Sequence, residues 1–450
     1  MTSKDVISNE EISKIGLLLK ETNGIICKNC FKRKLNLEDL EKLNFEGLKE
    51  LNLEKLEKNY NEVTNNKNFK FTDDFNGCSI CKGILSNLDE KKIIEKIEEK
   101  ISYLDLEFDT FLLGSKIPKK IIENEDKISK ELGIESETIK KEINKRIGEK
   151  LEAKLNKPVD FENPNVIIMI DFNKVFKFLE KHKKENNFHE EIKKIFEEIK
   201  IRIQINPIFI EGRYLKFIRT IPQTKWPCRK CKGKGCEECN FTGKQYLESV
   251  EELISKIAIK EFKGYKAKFH GAGREDIDVK MLGNGRPFVL EILEPKKRFL
   301  DLNKLEKDVN SYSKNKTEYL NLKFTTKNRK AEIKVSSPDT YKVYRSYVEC
   351  DGEIDDNDLE KLKILKTIEQ VTPIRVAHRR ADKTRIKEVK ELQTKKISDN
   401  SFEMIVKTQG GLYIKELISS DEGRTKPSVS EILSLNCICK ELDVIEVSSK

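Results

Sequence analysis

The stretch Gly271–Ile292 reads GAGREDIDVKMLGNGRPFVLEI, with four glycines and a dense run of charges closing on an apolar segment. Gly271 and Gly273 allow tight turning. Arg274, Glu275, Asp276 and Asp278 place four charges on that turn. From Pro287 to Ile292, Phe288, Leu290 and Ile292 alternate with Val289 and Glu291, as in a strand that enters a core. A charged loop mounted between tight turns and a buried strand is how a scaffold commonly carries a site. An ordinary polar hairpin would hold the same residues.

Outward from this stretch, the 450 residues predict two to four domains. Charged and hydrophobic residues each make up 37%, which leaves enough apolar material for a core. The longest apolar runs, such as Val166–Ile170, fall far short of a membrane span, so no membrane partner is expected. The opening MTSKDVISNEE lacks a basic-then-apolar leader pattern, which points to a protein retained in the cytoplasm. The net charge of +10 suits a polyanionic partner, although Lys- and Glu-rich composition also follows genome bias or heat adaptation.

Of eleven cysteines, eight fall into C-x-x-C pairs: Cys27/Cys30, Cys78/Cys81, Cys228/Cys231 and Cys236/Cys239. In a cytosolic chain that pattern argues for metal rather than disulfides. Cys350, Cys437 and Cys439 lack it and read as core residues. The first two pairs can close one tetrahedral Zn²⁺ site despite the long segment between them, because loop-closure cost grows only logarithmically. Two separate thiol pairs are the competing arrangement. The intervening Leu-rich segment, with LNLE at Leu35 and again at Leu51, reads as a helical insertion followed by a polar loop from about Asn59 to Lys70.

A helix is predicted over Leu88–Ile101, with Ile93, Ile94, Ile97 and Ile101 on one face. The alternation in YLDLEFDTFLLG reads as a strand ending at Gly114. Ile139, Ile143, Ile147, Leu151 and Leu155 mark a second helix, and VIIMIDF and IRIQINPIFI read as strands. Beyond Pro207, EGRYLKFIRTIPQTKWP interleaves Arg213, Tyr214, Lys216, Phe217, Arg219 and Trp226. That mixture suits an RNA surface and equally a half-buried strand. The following CRKCKGKGCEECNFTGK brings four thiolates into one compact loop, whose lysines offset the negative charge. Zinc suits this spacing better than an iron–sulfur cluster, and with four protein ligands the role is structural. A helix then opens at Ser249 with a capping box to Glu252.

There is no Walker loop, no dinucleotide fingerprint after a strand and no nucleophile elbow. None of His182, His189, His270 and His378 stands at catalytic-zinc spacing, which leaves a carboxylate as the best candidate for covalent or acid–base work.

GREDIDV at Gly273–Val279, followed by LGNGRPF, resembles the catalytic motif of the THUMP-containing tRNA pseudouridine synthase family of archaea and eukaryotes. That family isomerises the T-loop uridines 54 and 55 (tRNA numbering). TYKVYRSYV, TPIRVAHRRADKTR and GGLYIKELISSDEGRTKPS are similar to the family's later motifs, in order, from Gly212 onward. The N-terminal half is more loosely similar to its zinc-bearing, THUMP-containing region. The resemblance implies an α/β (α+β) architecture. Residues 1–205 would be a zinc-binding, THUMP-like tRNA-binding region. Residues 206–450 would be the catalytic domain, with a mixed antiparallel sheet and the second four-cysteine loop at 228–239. It implies Asp276 as the essential carboxylate, Lys415 as its basic partner and Tyr341 as the aromatic face for the detached uracil. Ile414 and Leu442 would form an apolar floor. Arg274, Arg375, His378, Arg379, Arg380, Lys383 and Arg385 would grip the tRNA backbone. Zinc, at one or two structural sites, is the expected cofactor; no organic cofactor and no protein partner are implied.

The chemistry agrees with this reading. Pseudouridine formation cleaves an N-glycosidic bond, rotates the base and rejoins it through carbon. It needs an ionised carboxylate in a dry pocket beside a cation and an aromatic face. The target uridine must first leave its stack. Asp278 competes for the carboxylate role, and a structural salt bridge is its expected alternative. The rival readings are a non-catalytic zinc-dependent tRNA-binding protein and a THUMP-linked tRNA methyltransferase; the missing glycine-rich adenosylmethionine loop weighs against the latter. The residues do not choose between one modified uridine and two, between catalytic pathways, or between oligomeric states.

Overall fold

The structure, a computed structural model, describes residues 9–35, 77–133, 135–181, 188–335, 340–378 and 380–448. The chain divides into two compact units, Met1–Asn206 and Pro207–Lys450. Among the described residues no helix is long and apolar enough to cross a membrane.

In the first unit, helices flank a three-stranded sheet of β1 (Phe111–Lys116), β2 (Val166–Asp171) and β3 (Lys200–Ile205). β1 and β2 run parallel, and β3 pairs antiparallel with β2. The Glu90–Leu104 helix starts where Asp89 accepts from the amide of Lys92, and it buries Ile93, Ile94 and Ile97 as the periodicity predicts. The Ile139–Leu155 helix likewise buries Ile139, Ile143, Ile147 and Leu151.

The alternation in YLDLEFDTFLLG is not one strand. The helix runs on through Tyr103, which is exposed, and ends where Asp105 takes a left-handed conformation; only Phe111–Lys116 is extended. Leu106 and Phe108 pack on the core of this unit without forming a strand, and the helix continues through Leu104. IRIQINPIFI is also divided. Pro207 separates β3 from β4 (Ile208–Lys216), and the two strands belong to different sheets. The Leu-rich insertion lies outside the described residues.

The second unit is built on a ten-stranded mixed sheet. Its further strands are β5 (Lys266–Gly271), β6 (Val279–Leu293), β7 (Thr317–Thr325), β8 (Tyr341–Cys350) and β9 (Thr367–Val371). They are followed by β10 (Thr384–Ser398), β11 (Ser401–Gln409), β12 (Thr425–Lys426) and β13 (Cys437–Val447). The order is β12-β9-β10-β11-β8-β13-β6-β4-β7, with β5 also on β6, and all pairs are antiparallel except β13 with β6. The helices Val250–Glu261 and Leu302–Tyr312 cover one region of the sheet, packing on β5 and β7. Ser249 caps the first of them by accepting from the amide of Glu252, and Val250, Leu253, Ile254 and Ala258 are buried.

β6 is the hub of this unit. Its first residues, Val279–Met281, pair with Leu442–Val444 of β13. Its later ones, from Arg286 to Ile292, pair with β4, and those from Phe288 to Leu293 pair with β5. Phe288, Leu290 and Ile292 are fully buried, as is the intervening Val289, because strands lie on both sides and helices above. The charged turn Ala272–Asp278 therefore hangs between the end of β5 and the start of β6, fixed at both ends by the sheet.

Candidate active site

The turn is locked from beneath by a buried polar network. Glu275 pairs with Arg286, Nε to Oε2 2.9 Å, with both side chains almost wholly out of solvent. The Tyr214 hydroxyl donates to the same carboxylate at 2.8 and 2.9 Å. Gln223 Nε2 donates to the Tyr214 hydroxyl at 2.7 Å and to the carbonyl of Gly273 at 2.9 Å. Lys216, fully buried, donates to the carbonyls of Ile221, Asp276 and Ile277 at 3.1, 3.2 and 2.8 Å. Burial pushes its pKa down to about 8, against the pull of Glu275 and Asp278. Removing one member of such a buried pair costs about 3–5 kcal/mol, so Glu275 and Arg286 hold the turn rather than do chemistry. The strand reading fits Tyr214 and Lys216, which lie in β4 and are buried.

Gly273 sits at φ +82°, and a Cβ there would stand 3.2 Å from Arg286 Nη1 and 3.3 Å from Lys342 Nζ. Glycine lets the turn lie directly on these two cations. Burial, with Arg286 adding to it, pushes Lys342 down to about 7.

Above the network a cavity of about 270 Å³ is lined by Trp226, Arg274, Asp276, Ile277, Asp278, Arg375 and Lys415. The Asp276 carboxylate meets Arg375 Nη1 at 2.8 Å and Lys415 Nζ at 3.9 Å. Lys415 is closer to Asp278, at 2.7 Å. Burial raises the Asp278 carboxyl, but the Lys415 hydrogen bond and charge outweigh it and hold it below the usual range. Arg375 is itself held by Glu416, Nε to Oε1 2.5 Å, and lies over the Tyr413 ring. The Arg274 guanidinium lies 4.7 Å from the centre of the Trp226 ring. Ile414 and Leu442 are both buried in the core of this unit. Arg219 reaches across from the carbonyl of Asp278 to that of Leu442, at 3.1 and 2.7 Å, tying the turn to β13. A larger hollow of about 730 Å³ lies between Asp351 and Ser419–Asn436, but its lining carries carboxylates and hydroxyls and neither a cation nor an aromatic ring.

Two sequence assignments land elsewhere. Arg375, read as a backbone contact, is the cation nearest Asp276. Tyr341 points away: its hydroxyl donates to Glu446 at 2.7 Å and Lys407 lies over its ring. Residues three apart on a strand face opposite sides, so Lys342, Tyr344 and Ser346 share the face that Tyr341 leaves. Burial raises the Tyr344 hydroxyl to about 12, with Arg286 opposing and the charges of Asp276 and Glu275 adding to the rise. Tyr344 therefore shares the β8 face on which Lys342 reaches Gly273 of the charged turn. Strand parity from Val348, a core residue, could have picked it out. Tyr413 and Glu416 were missed as well, and their place beside Lys415 in the sequence was the available signal.

Arg375 lies on a short helix, Ile374–Ala377. From it the chain leads outward past His378, Arg380 and Lys383, which are exposed, to Arg385, which donates to Thr372 Oγ1 at 2.9 Å. Arg379 lies outside the described residues.

Each cysteine quartet converges, with its four sulfurs all within 4.8 Å of one another: Cys27, Cys30, Cys78 and Cys81, and Cys228, Cys231, Cys236 and Cys239. The Sγ–Sγ separations of 3.6 Å for Cys27–Cys81 and 3.7 to 3.9 Å in the second quartet match the edge, about 3.8 Å, of a tetrahedron whose metal–sulfur bonds are about 2.3 Å. Both sets can hold a metal ion. In the first, burial pushes the Cys30 thiol up, so four thiolates there need a cation. Arg33 Nη2 donates to Cys30 Sγ at 3.5 Å, and Arg33 and Lys34 are buried on Glu125. These two basic residues serve the knuckle's packing.

A family profile described as Pus10, C-terminal, matches residues 209–448, and one described as Pus10 THUMP domain, archaeal, matches 93–171. The chain is 45% identical over 370 residues to the tRNA pseudouridine synthase Pus10 of Methanothermobacter marburgensis, covering 82% of this chain and 86% of that one. It is 47% identical to the protein of that name from Methanosphaera stadtmanae, covering 82% and 88%. For the one from Methanocaldococcus jannaschii the identity is 46%, covering 82% and 75%. Among solved structures, a Cbf5–Nop10–Gar1 complex aligns at 15% identity with a TM-score of 0.29, over 52% of this chain and 58% of that one. The chain belongs to the Pus10 family of tRNA pseudouridine synthases.

Proposed function

We propose that this chain converts uridine 54, uridine 55 or both in the tRNA T-loop to pseudouridine, with Asp276 as the essential carboxylate. The observation that carries the reading is the setting of Asp276. It lies on a cavity wall between Arg375 and Lys415, over a turn that buried residues hold still. Such preorganisation gives a charged group a fixed aim at the reacting sugar or base. Arg375 and Lys415 hold its negative charge, and Asp278 occupies Lys415 from the solvent side. Tyr344, rather than Tyr341, supplies the aromatic face for the detached uracil, and Ile414 and Leu442 back the pocket. The exposed His378, Arg380 and Lys383, with Arg379 next to them in sequence, contact the tRNA backbone. Both cysteine quartets bind structural zinc, since four thiolates leave no open coordination position. Residues 1–205 form the zinc-binding, THUMP-like tRNA-binding region and 206–450 the catalytic domain.

The test is chemical mapping of pseudouridine in an unmodified tRNA transcript after incubation with the purified protein. New pseudouridine in the T-loop, absent with D276N, supports the reading. Binding without product would favour a non-catalytic tRNA-binding protein.

A further inference from the structure

The loop that carries the second cysteine quartet begins on the wall of the catalytic cavity. Pro227 and Lys244 form an isolated bridge at its base, and the amide of Gln245 donates to the carbonyl of Trp226 at 2.9 Å. Trp226 lines the cavity and carries Arg274 on its ring, while Tyr246 meets its edge at 5.6 Å. An aromatic and cationic ladder thus joins the loop to the pocket.

Beyond the bridge the loop is cross-linked by hydrogen bonds to its own sulfurs and backbone. The amides of Gly235 and Gly243 donate to the sulfurs of Cys231 and Cys239, each at 3.2 Å. A Cβ on Gly243 would fall 2.5 Å from the carbonyl oxygen of Gly233, so the two knuckles touch backbone to backbone. At the far turn, Asn240 and Phe241 both take left-handed conformations, and the Phe241 amide donates to the carbonyl of Cys236 at 2.8 Å. Phe241 is 73% exposed. A left-handed phenylalanine is costly, and a core packing role does not account for it, because its ring lies in solvent. Arg229, Lys232 and Lys234 are exposed on the same loop. Glu237 and Glu238 are exposed there too, Glu238 paired with Lys230. An exposed aromatic ring on a loop that also carries cations is a surface for unpaired nucleotides to stack on while their phosphates are neutralised.

We propose that this loop is a base-stacking finger, with Phe241, at the tip of the loop that starts on the wall of the Asp276 cavity, receiving an unpaired base of the tRNA substrate. This rests on the reading of the chain as a tRNA-modifying enzyme. An RNA is favoured over a protein partner because the loop exposes one large apolar side chain, Phe241, together with Arg229, Lys232 and Lys234, and not the wider apolar patch a protein contact would bury.

The experiment uses the full, metal-loaded chain and an unmodified tRNA transcript at one fixed salt concentration. F241A is expected to weaken binding and raise KM by about 5- to 150-fold with kcat unchanged, and F241W to restore both. An R229Q/K232Q/K234Q variant is expected to flatten the dependence of affinity on salt. Equal metal content and equal Tm in all variants show that the knuckle is intact. F241A binding within twofold of wild type overturns the finger, as does F241W binding no better than F241A, or a loss of self-association in place of RNA affinity. If the wild-type chain binds tRNA and makes no pseudouridine, the enzymatic reading falls, while the F241A binding comparison still decides the finger.

Discussion

Nη1 of Arg375 lies 2.8 Å from Oδ2 of Asp276, and the same guanidinium is anchored from behind by the buried carboxylate of Glu416. Asp276 thus meets a cation that a second carboxylate holds in place, whereas Lys415 divides itself between Asp276 and Asp278. A fixed, charge-assisted pair is stronger and better aimed than a shared, flexible one. R375Q is expected to lower kcat by about 10- to 100-fold, with R375K recovering part of the loss, and K415Q to cost less. Single-turnover rates on saturating tRNA measure this. A K415Q defect larger than that of R375Q would return the pairing role to Lys415.

D276N keeps the shape of the side chain and removes its charge. Product formation is expected to fall by at least about 10²–10⁴-fold, with tRNA affinity unchanged. D278N should retain most activity, since Asp278 meets Lys415 at the solvent side of the cavity.

Tyr344 and Tyr341 offer a clean contrast, because β8 turns them to opposite faces. Y344A is expected to lower kcat by about 10²-fold or more. Y341F, which loses only the hydrogen bond to Glu446, should stay near wild type. Equal defects would mean that the aromatic face is not set by strand parity.

Lys342 makes stability depend on pH. Its pKa falls from the ordinary 10.5 to about 7 on folding, so between those values the unfolded chain binds more protons. Its contribution is present above about 10.5 and is lost as pH falls toward about 7. In thermal melts the Tm of K342M relative to wild type should therefore rise as pH is lowered from about 10 to about 7, then level off. A difference independent of pH would show that the lysine is not desolvated.

Removing metal should unfold the knuckles before it slows chemistry. Chelation is expected to lower Tm by about 5 °C or more, and C30S to do the same without chelator, because its sulfur sits in a fully buried quartet. Retention of full stability after verified metal loss would contradict a structural role.

Much of this was legible in the chain. The cysteine spacings, the Ser249 cap, the isoleucine stripes and the Gly271–Ile292 turn each depend on near neighbours, and the structure keeps them. What failed depended on distant partners. Tyr103–Asp109 alternates as a strand would, yet among the described residues no strand pairs with it. Arg375 looks like one cation of a basic block, and only the folding of the Ile374–Ala377 helix against Glu416 turns it inward. Tyr341 and Tyr344 stand in one short motif, and choosing between them required knowing which face of β8 turns toward Gly273, as Lys342 does.

The first quartet has a different kind of consequence. Its two knuckles bring both ends of a long intervening segment to one point: the amide of Ser79 donates to the carbonyl of Ile25 at 2.9 Å, and Cys27 and Cys81 stand 3.6 Å apart. The described residues on either side of that segment meet at the same clasp. Whatever is spliced in there adds length without changing the distance the rest of the fold must span. The clasp is thus a natural insertion port, at which this sequence can gain or lose dozens of residues and leave the neighbouring helices in register.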